Sequence, residues 1–266
     1  MSKKKLLLTL SLVAAMVFGS AFAVMAAPAD QQANSTGTIT FETPTILPTE
    51  PTPIDPTDPT RITLPTDHTT VTGTNLLALE IIPNFNFGTH DVTTTNRRFN
   101  AIPPADQPYF VQLRDLRGTG AGWNLSAELA SQFTGVSGAA TGQVLTGAQI
   151  DLTNIGAFSN QDDIITAAPT HLNSLARLDV NSGQINLASA AVGQGMGNTR
   201  VRFGENNLNG GANNSGTSVV LNVPSGVLFY TGTYNATITW RLQEGPLTTF
   251  PAPAAPAQPG QGQPVS

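Results

Sequence analysis

The sequence predicts an all-β protein: a β-sandwich, or barrel-like sandwich, of antiparallel strands with long loops at its ends. Short segments of alternating apolar and polar residues recur from residue 75 onward, separated by Gly, Asn, Pro and Ser clusters. Composition agrees, being rich in Thr, Asn and Gly and only 11% charged, which favours short strands and turns over helices. Helical periodicity competes at one place, where Leu125, Leu129 and Phe133 also fit an i, i+4, i+8 stripe. A strand ending near Leu129 is the better reading, because Gly122 and Trp123 open it and a Gly-rich stretch soon follows.

The chain begins with Lys3, Lys4 and Lys5, an apolar run over 6–22, and small residues at Ala21, Ala23, Ala26 and Ala27. A basic start, a short apolar run and a small-residue cleavage site make residues 1–26 a secretory signal peptide rather than a membrane span. Cleavage is expected before Ala27, with cleavage after Ala23 as the neighbouring alternative. Residues 27–35 read as a disordered N-terminus. One β domain then spans 36–246, opening with a strand at "TGTITFE" (36–42). Within it, 43–66 carries a proline every few residues, which forbids helix and favours extended polyproline-like backbone running as a linker or across the domain surface. The Pro-rich end, 247–266, is expected to be disordered.

Eight further strands follow in order: "NLLALEIIP", "YFVQLRDLRG", "GWNLSAEL", "GAQIDLTN", "QINLASA", "TRVRFG", "TSVVLNVP" and "GTYNATITWRL". Between them, "SNQDDIITAAPTHLNS" and "GENNLNGGANNSGTS" are longer than ordinary hairpin loops and read as insertions at the sheet ends.

All three lysines lie in the predicted signal peptide, so the remainder holds nine arginines against seventeen acidic residues, a balance of −8. Such a surface is a poor match for nucleic acid or an anionic membrane face, and for wall polyanions unless the few arginines cluster in space. No later segment reaches bilayer-crossing length, so no direct membrane insertion is expected. Cysteine is absent, and an exported chain without disulfides depends on ordinary core burial.

Both tryptophans of the chain sit in the same tripeptide, Trp123-Asn124-Leu125 and Trp240-Arg241-Leu242. Residues two apart on a strand share a face, so each tripeptide sets Trp and Leu together and turns Asn124 or Arg241 the other way. The flanks agree: Tyr234, Ala236, Ile238, Trp240 and Leu242 alternate with polar residues, as do Trp123, Leu125, Ala127 and Leu129. Two uses fit this pattern. The rings pack the core, each burying roughly 150–250 Å², or they stand at an open edge and stack on a sugar or a partner chain.

The two tripeptides in their contexts, "VQLRDLRGTGAGWNL" and "GTYNATITWRLQEGP", resemble the WxL cell-surface domain family of bacteria with a Gram-positive envelope. Matching pieces include "TGTITFE", "PIDPTDP", "IIPNFNFG", "LTGAQIDLTN", "GQGMG" and "VVLNVPSG", so the resemblance runs over about 36–246. It implies a secreted, non-catalytic protein held non-covalently at the cell wall through peptidoglycan. It also implies membership of a multi-protein surface complex with a membrane-anchored WxL-interacting surface protein and other WxL proteins. By the same resemblance, Trp123, Leu125, Trp240 and Leu242 carry the attachment.

The residues point to no catalytic or metal site. His68, His90 and His171 are scattered without ligand spacing, and no G-x-S-x-G or phosphate-binding loop is present. Gly193, Gly195 and Gly197 read as turn or bulge glycines. No cofactor is expected. In "RDLRGTG", Asp115 and Arg117 are the polar candidates, with Arg117 placed either to offer its fork to a peptide-stem carboxylate or to form a surface pair with Asp115.

Overall fold

A computed structural model of the chain describes residues 39, 41, 67–92, 97–104, 107–159, 166–206 and 212–246. The chain divides into two units, Met1–Phe41 and Glu42–Ser266. In the first, only Ile39 and Phe41 are described, outside any strand. The signal peptide, the Pro-rich segment and the Pro-rich end lie outside the described residues.

The second unit is all-β, with three antiparallel sheets, none closed into a barrel. Its strands are β1 (His68–Thr70), β2 (Leu77–Pro83), β3 (Arg98–Asn100), β4 (Tyr109–Asp115), β5 (Trp123–Gly135), β6 (Gln149–Thr153) and β7 (Ile155–Ser159). There follow β8 (His171–Leu172), β9 (Leu175–Leu178), β10 (Ile185–Ala190), β11 (Gly197–Phe203), β12 (Val219–Asn222) and β13 (Tyr234–Glu244). The first sheet runs β1-β2-β4-β11-β7, the second β13-β5-β10-β8, and the third β3-β12-β6-β9.

Alternation on each strand sends one row inward. Val111 and Leu113 of the first sheet, Trp123 and Leu187 of the second, and Ile150 and Leu152 of the third belong to one continuous buried cluster. Asn154, the single residue between β6 and β7, carries the chain from the third sheet to the first with a φ of 50°, a conformation that Asn tolerates better than most residues. All eight strands expected from residue 75 onward are present. The one expected to stop near Leu129 runs on to Gly135, because β13 pairs along it from Tyr234↔Gly135 to Glu244↔Trp123 with two register shifts.

The first sheet is buried on its second face as well, and that face is polar. Glu80 accepts from Arg114 Nη1 at 3.0 Å and from Gln112 Nε2 at 2.9 Å, and Gln112 Oε1 accepts from Arg200 Nε at 3.2 Å. All four side chains are buried, so the Glu80 carboxylate is held by Arg114 and Gln112 rather than by water.

Candidate functional site

Trp123 and Trp240 lie more than a hundred residues apart, on strands that are direct neighbours. In the β5–β13 register Leu125 stands opposite Leu242, Ala127 opposite Trp240, and Glu244 opposite Trp123. Antiparallel pairing thus places the two leucines at the centre and one tryptophan on either side of them along the ladder. The repeated tripeptide reads as one symmetric patch split between two strands.

The two halves differ in depth. Trp123 has 0% exposure, and its indole N–H donates to the carbonyl of Gly195 at 2.9 Å. β10 pairs along it, with Ala190 opposite Trp123 and the Ser189 hydroxyl donating to the Trp123 carbonyl at 3.3 Å. Gly195 lies against the ring, and Gly193, Gly195 and Gly197 all have left-handed φ values. A Cβ at Gly195 would stand 2.5 Å from the indole nitrogen. These glycines shape the turn that lets the backbone approach the ring.

Trp240 is half-buried and lines an open cleft of about 1240 Å³. Phe85 meets its ring edge-on at a centroid distance of 6.2 Å, and Phe203 lies tilted at 6.1 Å. Among the described residues its indole N–H has no hydrogen-bond partner. The whole inward row of β13, Tyr234, Ala236, Ile238, Trp240 and Leu242, is half-buried. One edge of β13 is paired to β5; among the described residues the other pairs with no strand. Across the cleft runs the segment from Ile82 to Val92, with Phe85 and Phe87 two residues apart.

Asp115 and Arg117 sit at the Trp123 end of the patch. Arg117 grips Asp115 with Nε and Nη2, at 2.9 and 2.8 Å, donates from Nη2 to the Gly122 carbonyl at 2.8 Å, and pairs with Glu244 at 3.2 Å. The Asp115 side chain is 1% exposed and that of Arg117 11%. The hydrogen bonds to Asp115, more than any other influence, raise the Arg117 pKa above its ordinary value. This clasp ties the turn before β5 to the end of β13.

The three histidines are dispersed. His68 is buried on β1, where its Nε2 accepts the Phe110 amide at 3.2 Å, and desolvation lowers its pKa to about 4. His90 is exposed with Nε2 2.7 Å from the Phe87 carbonyl, and His171 is on β8. Among the described residues no three His, Asp or Glu side chains gather as a metal site, and no helix is long and apolar enough to cross a membrane.

Sequence reasoning did not single out the opposite cleft wall. Its signal was the i, i+2 pair of phenylalanines in "NFNFG", two aromatics on one side of an extended segment.

The second unit thus sets an aromatic-lined cleft beside a Trp–Leu patch on an all-β scaffold. The family model described as "WxL domain surface cell wall-binding" matches residues 28–246, and the chain belongs to this family. It is thus a cell-wall-binding surface domain of an extracellular, wall-associated protein, in a family defined by binding rather than catalysis. No curated protein and no solved structure matches the chain.

Proposed function

We propose that this protein is a non-catalytic secreted surface protein, held non-covalently on the cell wall by peptidoglycan, and that the cleft along β13 is the contact site. The observation that carries this reading is Trp240, half-buried, lining an open cleft and with no partner for its indole N–H among the described residues. Trp240 presents the contact surface, with Leu242 next to it in the same half-buried row of β13. Trp123 and Leu125 build the strand behind it, and Asp115 and Arg117 fasten that strand's entry to the end of β13.

The test is co-sedimentation of the purified protein with peptidoglycan sacculi. The protein is expected to pellet with sacculi and to be released by denaturant, and Trp240→Ala is expected to stay folded and remain in the supernatant. Retention no greater than that of an unrelated acidic protein overturns the reading.

A second reading has its own observation, the edge of β13 left unpaired among the described residues. An open edge takes an added strand, which suits a membrane-anchored WxL-interacting surface protein and assembly with other WxL proteins. Pull-down from envelopes after complete wall digestion tests it: a protein partner is expected to stay bound, and its loss on digestion counts against this route.

A further inference from the structure

The chemistry of the cleft lining distinguishes between the two parts of peptidoglycan, its glycan strands and its peptide stems. We infer that the cleft binds the glycan strand along its length, as a neutral chain of N-acetylated sugars, and leaves the peptide stems outside. This rests on the wall-binding reading above and specifies which part of the wall is held.

Charge is the first argument. Among the described residues that line the cleft, the acids and bases apart from tyrosines are Asp67, His90 and Asp91, and no arginine or lysine is one of them; Arg97 lies over the Phe229 ring, 4.5 Å from its centroid, and donates from Nη1 to the Val227 carbonyl. A stem carboxylate, or a wall phosphate, meets no cation among these lining residues and faces two acidic ones. Arg117, the cation next to the Trp–Leu patch, already grips Asp115 and Glu244. A neutral ligand suffers no such repulsion.

The second argument is the pairing of ring faces with amides. Trp240 and Tyr234 occupy the same row of β13, while Asn84, Asn86 and Asn235 stand along the walls. Aromatic faces suit the C–H faces of pyranose rings, and side-chain amides offer both donors and acceptors to hydroxyl and acetamido groups. Asn235 is exposed and has no side-chain partner among the described residues.

Length is the third. Tyr234 and Trp240 are six residues apart on one strand, roughly 20 Å at strand rise. A disaccharide cannot touch both rings, whereas a longer oligomer lying parallel to β13 can.

The experiment uses the full mature chain with chitobiose and chitohexaose as β-1,4-linked N-acetylglucosamine probes, and a synthetic stem pentapeptide as the alternative. Binding is read by tryptophan fluorescence and by displacement of the protein from sacculi. Chitohexaose is expected to change Trp240 emission, a change abolished in Trp240→Phe, and to displace the protein from sacculi. Chitobiose is expected to bind at least about tenfold more weakly, the loss of one aromatic anchor. Asn235→Ala, an exposed change that leaves packing untouched, is expected to weaken chitohexaose several-fold.

Sedimentation with sacculi that the stem peptide competes and chitohexaose does not overturns the glycan assignment and leaves wall binding standing. Equal affinity for the two sugars overturns the lengthwise mode. Failure to sediment with sacculi while chitohexaose still binds overturns the wall reading alone. Failure of both, or capture only of a protein strand at β13, overturns both.

Discussion

The indole nitrogen of Trp123 and the carbonyl oxygen of Gly195 are 2.9 Å apart, joined by a hydrogen bond across 72 residues of chain. This bond satisfies the one polar atom of the largest fully buried side chain. It also explains why "GQGMG" accompanies the first tryptophan, since the turn over the ring has no room for a side chain at Gly195.

Gly195→Ala is therefore expected to destabilise the fold by at least about 2 kcal/mol. It combines a left-handed backbone, φ 71°, with a methyl group pushed into the indole. Urea denaturation gives the loss, and a red shift of Trp123 emission in the native state shows where it arises.

The two tryptophans are expected to separate in their response to removal. Trp123→Ala should cost about 3–5 kcal/mol, as for any large buried aromatic, whereas Trp240→Ala should leave the protein folded and weaken wall retention. In the single-tryptophan variants, Trp240→Phe should leave a blue-shifted, acrylamide-resistant emission from Trp123. Trp123→Phe should leave emission from Trp240 that acrylamide quenches.

Glu80→Ala should cost about 3–5 kcal/mol, because it leaves Arg114 buried without its carboxylate. Chemical denaturation measures this. The same substitution at the exposed Glu244, which faces Arg117 from solvent, should fall below about 1 kcal/mol.

His68 should make stability fall as pH drops from about 6.5 towards 4. Above that window both folded and unfolded states hold it neutral. Within it the unfolded chain takes up a proton that the native site, with its pKa lowered to about 4, refuses. Stability is therefore lost on acidification, by up to roughly 3 kcal/mol, and this contribution levels off below pH 4. His68→Gln keeps an acceptor for the Phe110 amide and should remove this part of the slope in urea titrations at pH 7.5, 5.5 and 4.

The strands of the second unit were legible where burial imposes a two-residue rhythm, and Tyr234 to Leu242 is the clearest case. β5 read short because its last residues, Ser131 to Gly135, straddle shifts in register with β13 that break the rhythm. β1, β3, β8 and β9 are two to four residues long, too brief for any period to register. The pairing of Leu125 with Leu242 is a long-range fact that no local pattern encodes.

The unequal depth of the tryptophans has the same origin: two Trp-x-Leu tripeptides acquire different surroundings because β5 is paired on both edges, by β10 and β13, whereas β13 is paired only to β5 among the described residues. Burial of Arg114 and Asp115 was hidden as well, because charged residues on a strand ordinarily mark a solvent face. Here the first sheet is covered on both sides.

The ladder between β5 and β13 also sets an order of events in folding. Trp123 emerges in the first half of the chain, and the strand that completes its patch is the last of the described strands. Loop closure over more than a hundred residues is entropically late. The edge proposed to face the wall thus takes shape only when nearly all of the chain is available, and a partly emerged chain has the core tryptophan but not the strand that completes its patch.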